Sequence, residues 1–191
     1  QTYLAQRGIR FASAPGCNKI SVAEYVISAL LVLAERHQLS LAGMTLGIIG
    51  AGNTGSALAA KASELGMLVC LCDPLLAKAG DPRPFVDYEL ALSCDVVSFH
   101  VPLTREGPCP TYHLLDAKHI AALPDGQLLI NASRGEVLDN LALLLRQQSG
   151  QPLHLVMDVW EQEPDILQEL IPHTEIATQH IAGYSLEGKL M

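Results

Sequence analysis

The sequence predicts an α/β fold, a doubly wound parallel sheet, and three observations carry that expectation. Its candidate strands are apolar throughout rather than alternating, as strands buried on both faces are. They alternate with stretches of helical period, the pattern of parallel strands joined by right-handed crossovers. A Gly-x-Gly-x-x-Gly turn, Gly50-Ala51-Gly52-Asn53-Thr54-Gly55, separates the first strand of that alternation from the helix that follows.

Residues 1–16 read as the tail of another unit, with a short helix and a strand at 9–12 before a Pro15-Gly16 break. Ser21-Val22-Ala23-Glu24 has the spacing of a capping box, in which the serine accepts from first-turn amides and the glutamate reaches back. A helix is therefore expected over 22–37, apolar nearly all round and buried on most sides. The alternation then runs through strand 45–49, helix 53–65, strand 68–72, a short helix near 88–92 and strand 96–100. Helix 117–123 leads to strand 127–131, helix 140–148 to strand 153–158, and a last strand, 175–178, runs into His180.

The totals bound the function classes. A chain of 191 residues suits one well-buried domain, given about 100 to 200 residues per domain. With 49% apolar and 17% charged residues it is cored rather than disordered. A net charge of −8 excludes nucleic acid and anionic membranes as general partners, because nothing here would replace the counterions of a phosphate backbone. An anionic ligand would have to be held by a few local cations. Cysteines 17, 70, 72, 94 and 109 are odd in number and form no CxxC pair, so neither a disulfide framework nor a zinc ribbon is encoded. No metal is expected, and a reducing cytoplasm is the simplest setting. The longest apolar run, 22–34, is shorter than the roughly 20 residues of a membrane span and contains Glu24. The chain opens with neither an initiator methionine nor a signal peptide, which suggests a piece of a longer protein.

In the glycine turn, Gly50 makes the tight bend, Gly52 lets a pyrophosphate approach the backbone, and Gly55 lets helix and strand pack closely. The free amides at the helix start, around Asn53 and Thr54, would face the phosphates. The second strand ends at Asp73, 21 residues past Gly52, where a carboxylate would accept from both ribose hydroxyls of an adenosine. A 2′-phosphate would meet that charge, and no arginine follows among Pro74, Leu75, Leu76 and Ala77, so NAD is expected over NADP; Lys78 is the one opposing sign.

Open α/β sheets bind ligands at their strand ends, and three ends carry chemistry: Ala132-Ser133-Arg134 after Asn131, Glu163 after Asp158, and His180. An arginine there can hold a carboxylate by two parallel hydrogen bonds while polarising the adjacent carbonyl. A histidine beside a carboxylate suits proton exchange with an alcohol. Singly these would read as a surface salt-bridge partner, a solvated loop acid and a packed core residue. At successive strand ends of a dinucleotide fold they read together as a catalytic set.

With these residues in view, the sequence resembles the Rossmann-type NAD-binding domain of the D-isomer-specific 2-hydroxyacid dehydrogenases. The resemblance rests on "APGCNKISVAEY" at 14–25, "LGIIGAGNTGSALA" at 46–59, "HVPLT" at 100–104, "LINASRGEVLDN" at 129–140, "VMDVWEQEP" at 156–164 and "HIAGYSLEG" at 180–188. It implies catalytic roles for Arg134, Glu163 and His180, and NAD contacts at Asp73, Val101, Ala132, Ser133, Arg134, Asp158 and Gly183. Within the family, Cys17, "GPCPTYHLL" at 107–115, Trp160 and "GYSLEGK" point to the subgroup that oxidises 4-phospho-D-erythronate in vitamin B6 biosynthesis, with Tyr184 and Arg134 on the substrate. Phosphoglycerate or hydroxypyruvate chemistry is the nearest alternative, and a corepressor-like, NAD-responsive binding module is another. The resemblance also implies a division into a substrate-domain remnant at 1–16, the NAD-binding domain at 17–185, and the start of a returning segment at 186–191. Most of the substrate domain, and a dimerisation domain that makes the full-length protein a homodimer, would lie outside the chain. A piece of this kind is expected to bind NAD and to turn over poorly.

Overall fold

The computed structural model describes residues 2–186, so Glu187, Gly188 and Lys189 of the last motif, and nearly all of the returning segment, lie outside the described residues. Six strands form one sheet in the order β2-β1-β3-β4-β5-β6, every pair parallel. They are β1 (Thr45–Ile49), β2 (Leu68–Cys72), β3 (Val96–Phe99), β4 (Leu128–Asn131), β5 (His154–Met157) and β6 (Ile176–Ala177). The helices are α1 (Thr2–Gln6), α2 (Lys19–His37), α3 (Asn53–Glu64), α4 (Pro74–Lys78), α5 (Tyr88–Leu92), α6 (Ala117–Ala122) and α7 (Asn140–Gln148), with 3-10 turns at Gly135–Val137 and Gln168–His173.

The doubly wound expectation holds, and the apolar strands explain it. Leu46, Ile48, Val96, Leu128, Ile130 and Val156 face one layer, shared with Val26, Leu30 and Leu33 of α2 and Leu58 of α3. Ile49, Val97, Phe99, Leu129, Leu155 and Met157 face the other, shared with Leu92 of α5, Ile120 of α6 and Leu143 of α7. Successive strand residues thus point into two different cores, which leaves little room for polar residues within the strands. Asp73, Asp87, Asp116 and Asp139 cap α4 to α7, each accepting from an amide in the first turn.

Three expectations fail. Residues 9–12 form no strand: Ile9 and Phe11 are more than half exposed, and among the described residues no neighbouring strand completes a ladder there. The capping box does not form. α2 begins at Lys19 with Asn18 as its cap residue, Ser21 Oγ donates to the Asn18 carbonyl, and Glu24 pairs with Lys61 on α3. Nor is α2 buried on most sides, since Ile20, Leu31 and Val32 are close to half exposed on the face turned away from the sheet and α3. Among the described residues no helix is long and apolar enough to cross a membrane.

The order places β1 between β2 and β3, so the chain leaves β1 toward one edge and returns on its other side. The crevice at the C-terminal ends of β1 and β3 is where such sheets take ligands, and the glycine turn opens into it.

Candidate active site

Gly50 has a φ of +93°, and a side chain there would stand 2.7 Å from the His100 carbonyl oxygen. A Cβ on Gly55 would lie 2.0 Å from the Gly50 carbonyl oxygen, so only hydrogen lets α3 start this close to β1. Gly52 differs: a Cβ there would meet nothing within 4 Å. It would project into open space at the mouth of α3, whose cap residue offers no side-chain acceptor to the first-turn amides. The N-terminus of a twelve-residue helix with no side-chain cap favours negative charge at its free amides.

Beside the cradle a cleft of about 380 Å³ runs from Asp73, Pro74 and Leu75 past Gly50 and Gly52 to His100, Val101 and Thr104. Asp73 stands at its edge and is itself engaged: Oδ1 accepts from the Leu76 amide and Oδ2 from the Ala51 amide, which fixes the carboxylate against the glycine turn. A carboxylate oxygen has two acceptor directions, so ribose hydroxyls can still be accommodated.

Sequence reading missed Arg83. Its Nη1 donates to the Ala51 carbonyl and to Ser56 Oγ, while Nε and Nη2 form a fork on Asp81. The guanidinium holds the Asp81 carboxyl well down, at about 2. The signal was the Asp-Pro-Arg spacing at 81–83; the search for a cation near Asp73 ended at Lys78, but the chain turns back after α4.

A second cleft of about 220 Å³ shares the His100-Val101-Pro102 wall and is lined on its other sides by Asn18, Thr54, Ala132, Ser133 and Arg134. The two make one trough from Asp73 to Arg134. Asn131, at the end of β4, shapes the arginine's loop: its Nδ2 donates to the Arg134 carbonyl, and its Oδ1 accepts from the Ser133 amide and hydroxyl. His100 is a second residue missed as a site group. Nε2 meets Ser98 Oγ at 2.8 Å, and Nδ1 is shielded with no partner among the described residues. Burial pushes this imidazole down to about 4, so it is neutral at pH 7.

Glu163 and His180 come together at the adjacent strand ends. His180 Nδ1 lies 2.8 Å from Glu163 Oε2, and Glu163 Oε1 accepts from the Trp160 amide. Asp158, 1% exposed, holds the histidine's loop: its Oδ1 accepts from Thr178 Oγ1 and the Ile181 amide, its Oδ2 from the Ala182 amide, and its carbonyl from the His180 amide. Trp160 Nε1 adds a bond to the Thr178 carbonyl. The loop that carries Glu163 is tied by a pair that sequence reading did not single out: Glu161 accepts from the Asn140 amide and meets His113 Nε2 at 2.7 Å. Tyr184 is 74% exposed one turn beyond His180. At Gly183 a side chain would meet Asn18 Nδ2 at 2.8 Å, so the space beside that backbone is shared with Asn18.

The donor set fits a nicotinamide dinucleotide. The open position at Gly52, the uncapped amides of α3 and the anchored Asp73 lie along the adjoining clefts that reach Arg134.

Comparison with known proteins agrees. Residues 31–182 match the family described as D-isomer specific 2-hydroxyacid dehydrogenase, NAD binding domain. The chain is 69% identical over 186 residues to an erythronate-4-phosphate dehydrogenase of Tolumonas auensis, and 67% identical over 189 residues to that of Aeromonas hydrophila; each alignment covers 97% of this chain and 50% of the relative. The chain thus spans about half the length of these relatives. Among solved structures, a protein from Thermus thermophilus superposes with a TM-score of 0.80 at 30% identity, over 96% of this chain and 65% of that one. A D-lactate dehydrogenase from Aquifex aeolicus, complexed with NAD and lactic acid, superposes with a TM-score of 0.79 at 26% identity, over 99% and 67%. On that family match, the chain belongs to the D-isomer specific 2-hydroxyacid dehydrogenases, as their NAD binding domain.

Proposed function

We propose that this chain is the cofactor-binding half of an enzyme that oxidises 4-phospho-D-erythronate to 3-hydroxy-2-oxo-4-phosphooxybutanoate with NAD, a step toward pyridoxal phosphate. The observation that carries the reading is the 2.8 Å contact between Glu163 and His180, beyond the ends of β5 and β6 in a sheet whose clefts suit a dinucleotide. The relatives named for erythronate 4-phosphate support the choice of acid.

Arg134 takes the substrate carboxylate and polarises the neighbouring C2–O bond. His180, bonded to Glu163 through Nδ1, has Nε2 turned away for the C2 hydroxyl and removes its proton. A bound NAD would supply the acceptor for the C2 hydride. Glu163 holds the ring and balances the imidazolium formed as the proton arrives. Tyr184 takes a substrate contact. In this reading residues 17–185 form the cofactor domain, 1–16 and 186–191 belong with the substrate part, and the five free cysteines favour the cytoplasm.

The test is NADH formation by a full-length protein carrying this chain, given 4-phosphoerythronate, 3-phosphoglycerate and D-lactate, each with NAD and with NADP. A strong preference for 4-phosphoerythronate with NAD is expected. Preference for another acid would overturn the substrate, and inactivity on all three would favour an NAD-responsive binding module.

A further inference from the structure

At the N-terminal edge of the sheet, away from the trough, three elements bring a nitrogen-rich cluster to one point. His37 is the last residue of α2, His154 the first of β5, and Glu175 immediately precedes β6. The parallel register of β5 and β6 sets Glu175 beside Leu155, to whose carbonyl its amide donates, and the Glu175 side chain reaches back to the ring of the preceding His154. His37 Nε2 lies 2.9 and 2.8 Å from the two Glu175 oxygens, His154 Nδ1 contacts Glu175 Oε1, and the two rings stand 4.1 Å apart, centre to centre. One ligand atom from each residue lies within 4.8 Å of the other two.

We propose that His37, His154 and Glu175 form a divalent metal site, that zinc is the ion this ligand set suits, and that the ion braces the end of α2 against the sheet. Two imidazoles and a carboxylate form a three-ligand set that leaves a fourth position for water. Bonds of about 2.0 to 2.2 Å to tetrahedral zinc place ligand atoms about 3.3 Å apart, so the His37 contacts to Glu175 at 2.8 and 2.9 Å open by about half an ångström to admit the ion, and the tighter His154 contact opens further. The three side chains are 21 to 30% exposed, which leaves a path for the ion and its water.

A second cluster, His113 with Asp139 and Glu161, shows what the first has that it lacks. There the two acids lie against different nitrogens of one ring, Nε2 to Glu161 and Nδ1 to Asp139, so the imidazole bridges two carboxylates on opposite sides. In the His37 cluster two different rings turn one nitrogen each toward the same carboxylate. The opposing feature is Arg36, whose Nη1 lies 3.2 Å from Glu175 Oε2 and repels a cation. Its side chain is 49% exposed and can swing into solvent. The ligands are distant in sequence, at 37, 154 and 175, so spacing gives no hint of them.

The test is calorimetric titration of the metal-free chain with zinc chloride at pH 7.5, with thermal melts alongside. One ion per chain is expected, with a melting rise of roughly 5 to 10 °C when zinc exceeds its Kd a hundredfold. His37→Ala and His154→Ala should each weaken binding by about 100-fold or more, beyond the 10- to 100-fold that loss of a mere supporting group brings. Arg36→Ala, a half-exposed substitution that leaves the fold alone, should tighten binding several-fold by removing the competing charge, and it decides the matter if a histidine variant fails to fold. No zinc binding, an affinity indifferent to His37 and His154, or an affinity unmoved by Arg36→Ala would each overturn the site.

Discussion

His180 and Glu163 meet through Nδ1 and Oε2 at 2.8 Å, and the histidine adopts a φ of +57° to make that contact. The left-handed backbone is held from one side by Asp158 and from the other by the Trp160 bond to Thr178. Removing the imidazole, His180→Ala, should lower kcat in the full-length protein by at least about 100-fold, the usual worth of a positioned proton carrier. Glu163→Gln should lower it less and leave the NAD dissociation constant within about twofold, because neither residue lines the trough. Parallel turnover and fluorescence titrations check both, and near-normal turnover of His180→Ala would sink its role.

Two of the three cradle glycines should separate by experiment. Gly55→Ala forces a methyl within 2.0 Å of the Gly50 carbonyl oxygen and should destabilise the chain by about 1 to 3 kcal/mol, the range for overpacking. Gly52→Ala meets no protein atom and has an ordinary backbone φ of −69°, so its melting temperature should stay within a degree or two while NAD affinity drops sharply. A Gly52→Ala chain that melts early yet binds NAD normally would contradict the cradle.

Asp73 has two tasks, and a single substitution should reveal both. Asp73→Ala strips the cap from α4 and the acceptor from the Ala51 amide, a loss of about 1 kcal/mol from the cap alone. NAD affinity should fall about tenfold, one hydrogen-bonded contact's worth, while NADP loses little, so the NAD/NADP ratio narrows. Equal losses for the two dinucleotides would show that Asp73 only shapes the turn.

Asp158→Asn should act at a distance from the cofactor. The buried carboxylate accepts three bonds, and an amide would turn a donor toward one of those donors, costing about 1 to 3 kcal/mol. The loop at 178–182 loosens, so kcat should drop with the NAD dissociation constant little changed. A pure loss of NAD affinity would instead make Asp158 a direct cofactor contact.

His100 gives the fold a pH dependence with a definite sign. Its folded value of about 4 lies below the ordinary 6.5, so between those limits the unfolded chain binds more protons and stability rises with pH. The contribution is complete above pH 6.5, declines as pH falls toward 4, and is worth at most about 3 kcal/mol. Melts between about pH 4.5 and 7.5 should show this slope, and His100→Gln should flatten it.

The alternation of apolar strands and helices was legible because each strand residue faces one of two cores, which leaves a continuous hydrophobic run in the sequence. Gly50 and Gly55 were legible because steric exclusion at a tight turn admits only glycine, and Gly52 by its fixed spacing between them. Local rules failed where the deciding partner was distant: residues 9–12 had no strand to pair with, Glu24 found Lys61 rather than its own helix start, and α2 kept one apolar face open. Arg83 folding back on Ala51, Glu161 anchored by Asn140 and His113, and the meeting of His37, His154 and Glu175 belong to the tertiary structure alone. Sequence by itself determined the sheet, the cradle and the residue types at the strand ends, because those follow from backbone sterics and the two-fold period of a strand. Only the packed structure decided which side chains share a hydrogen bond, because such contacts depend on how loops far apart in the chain converge once the core has closed.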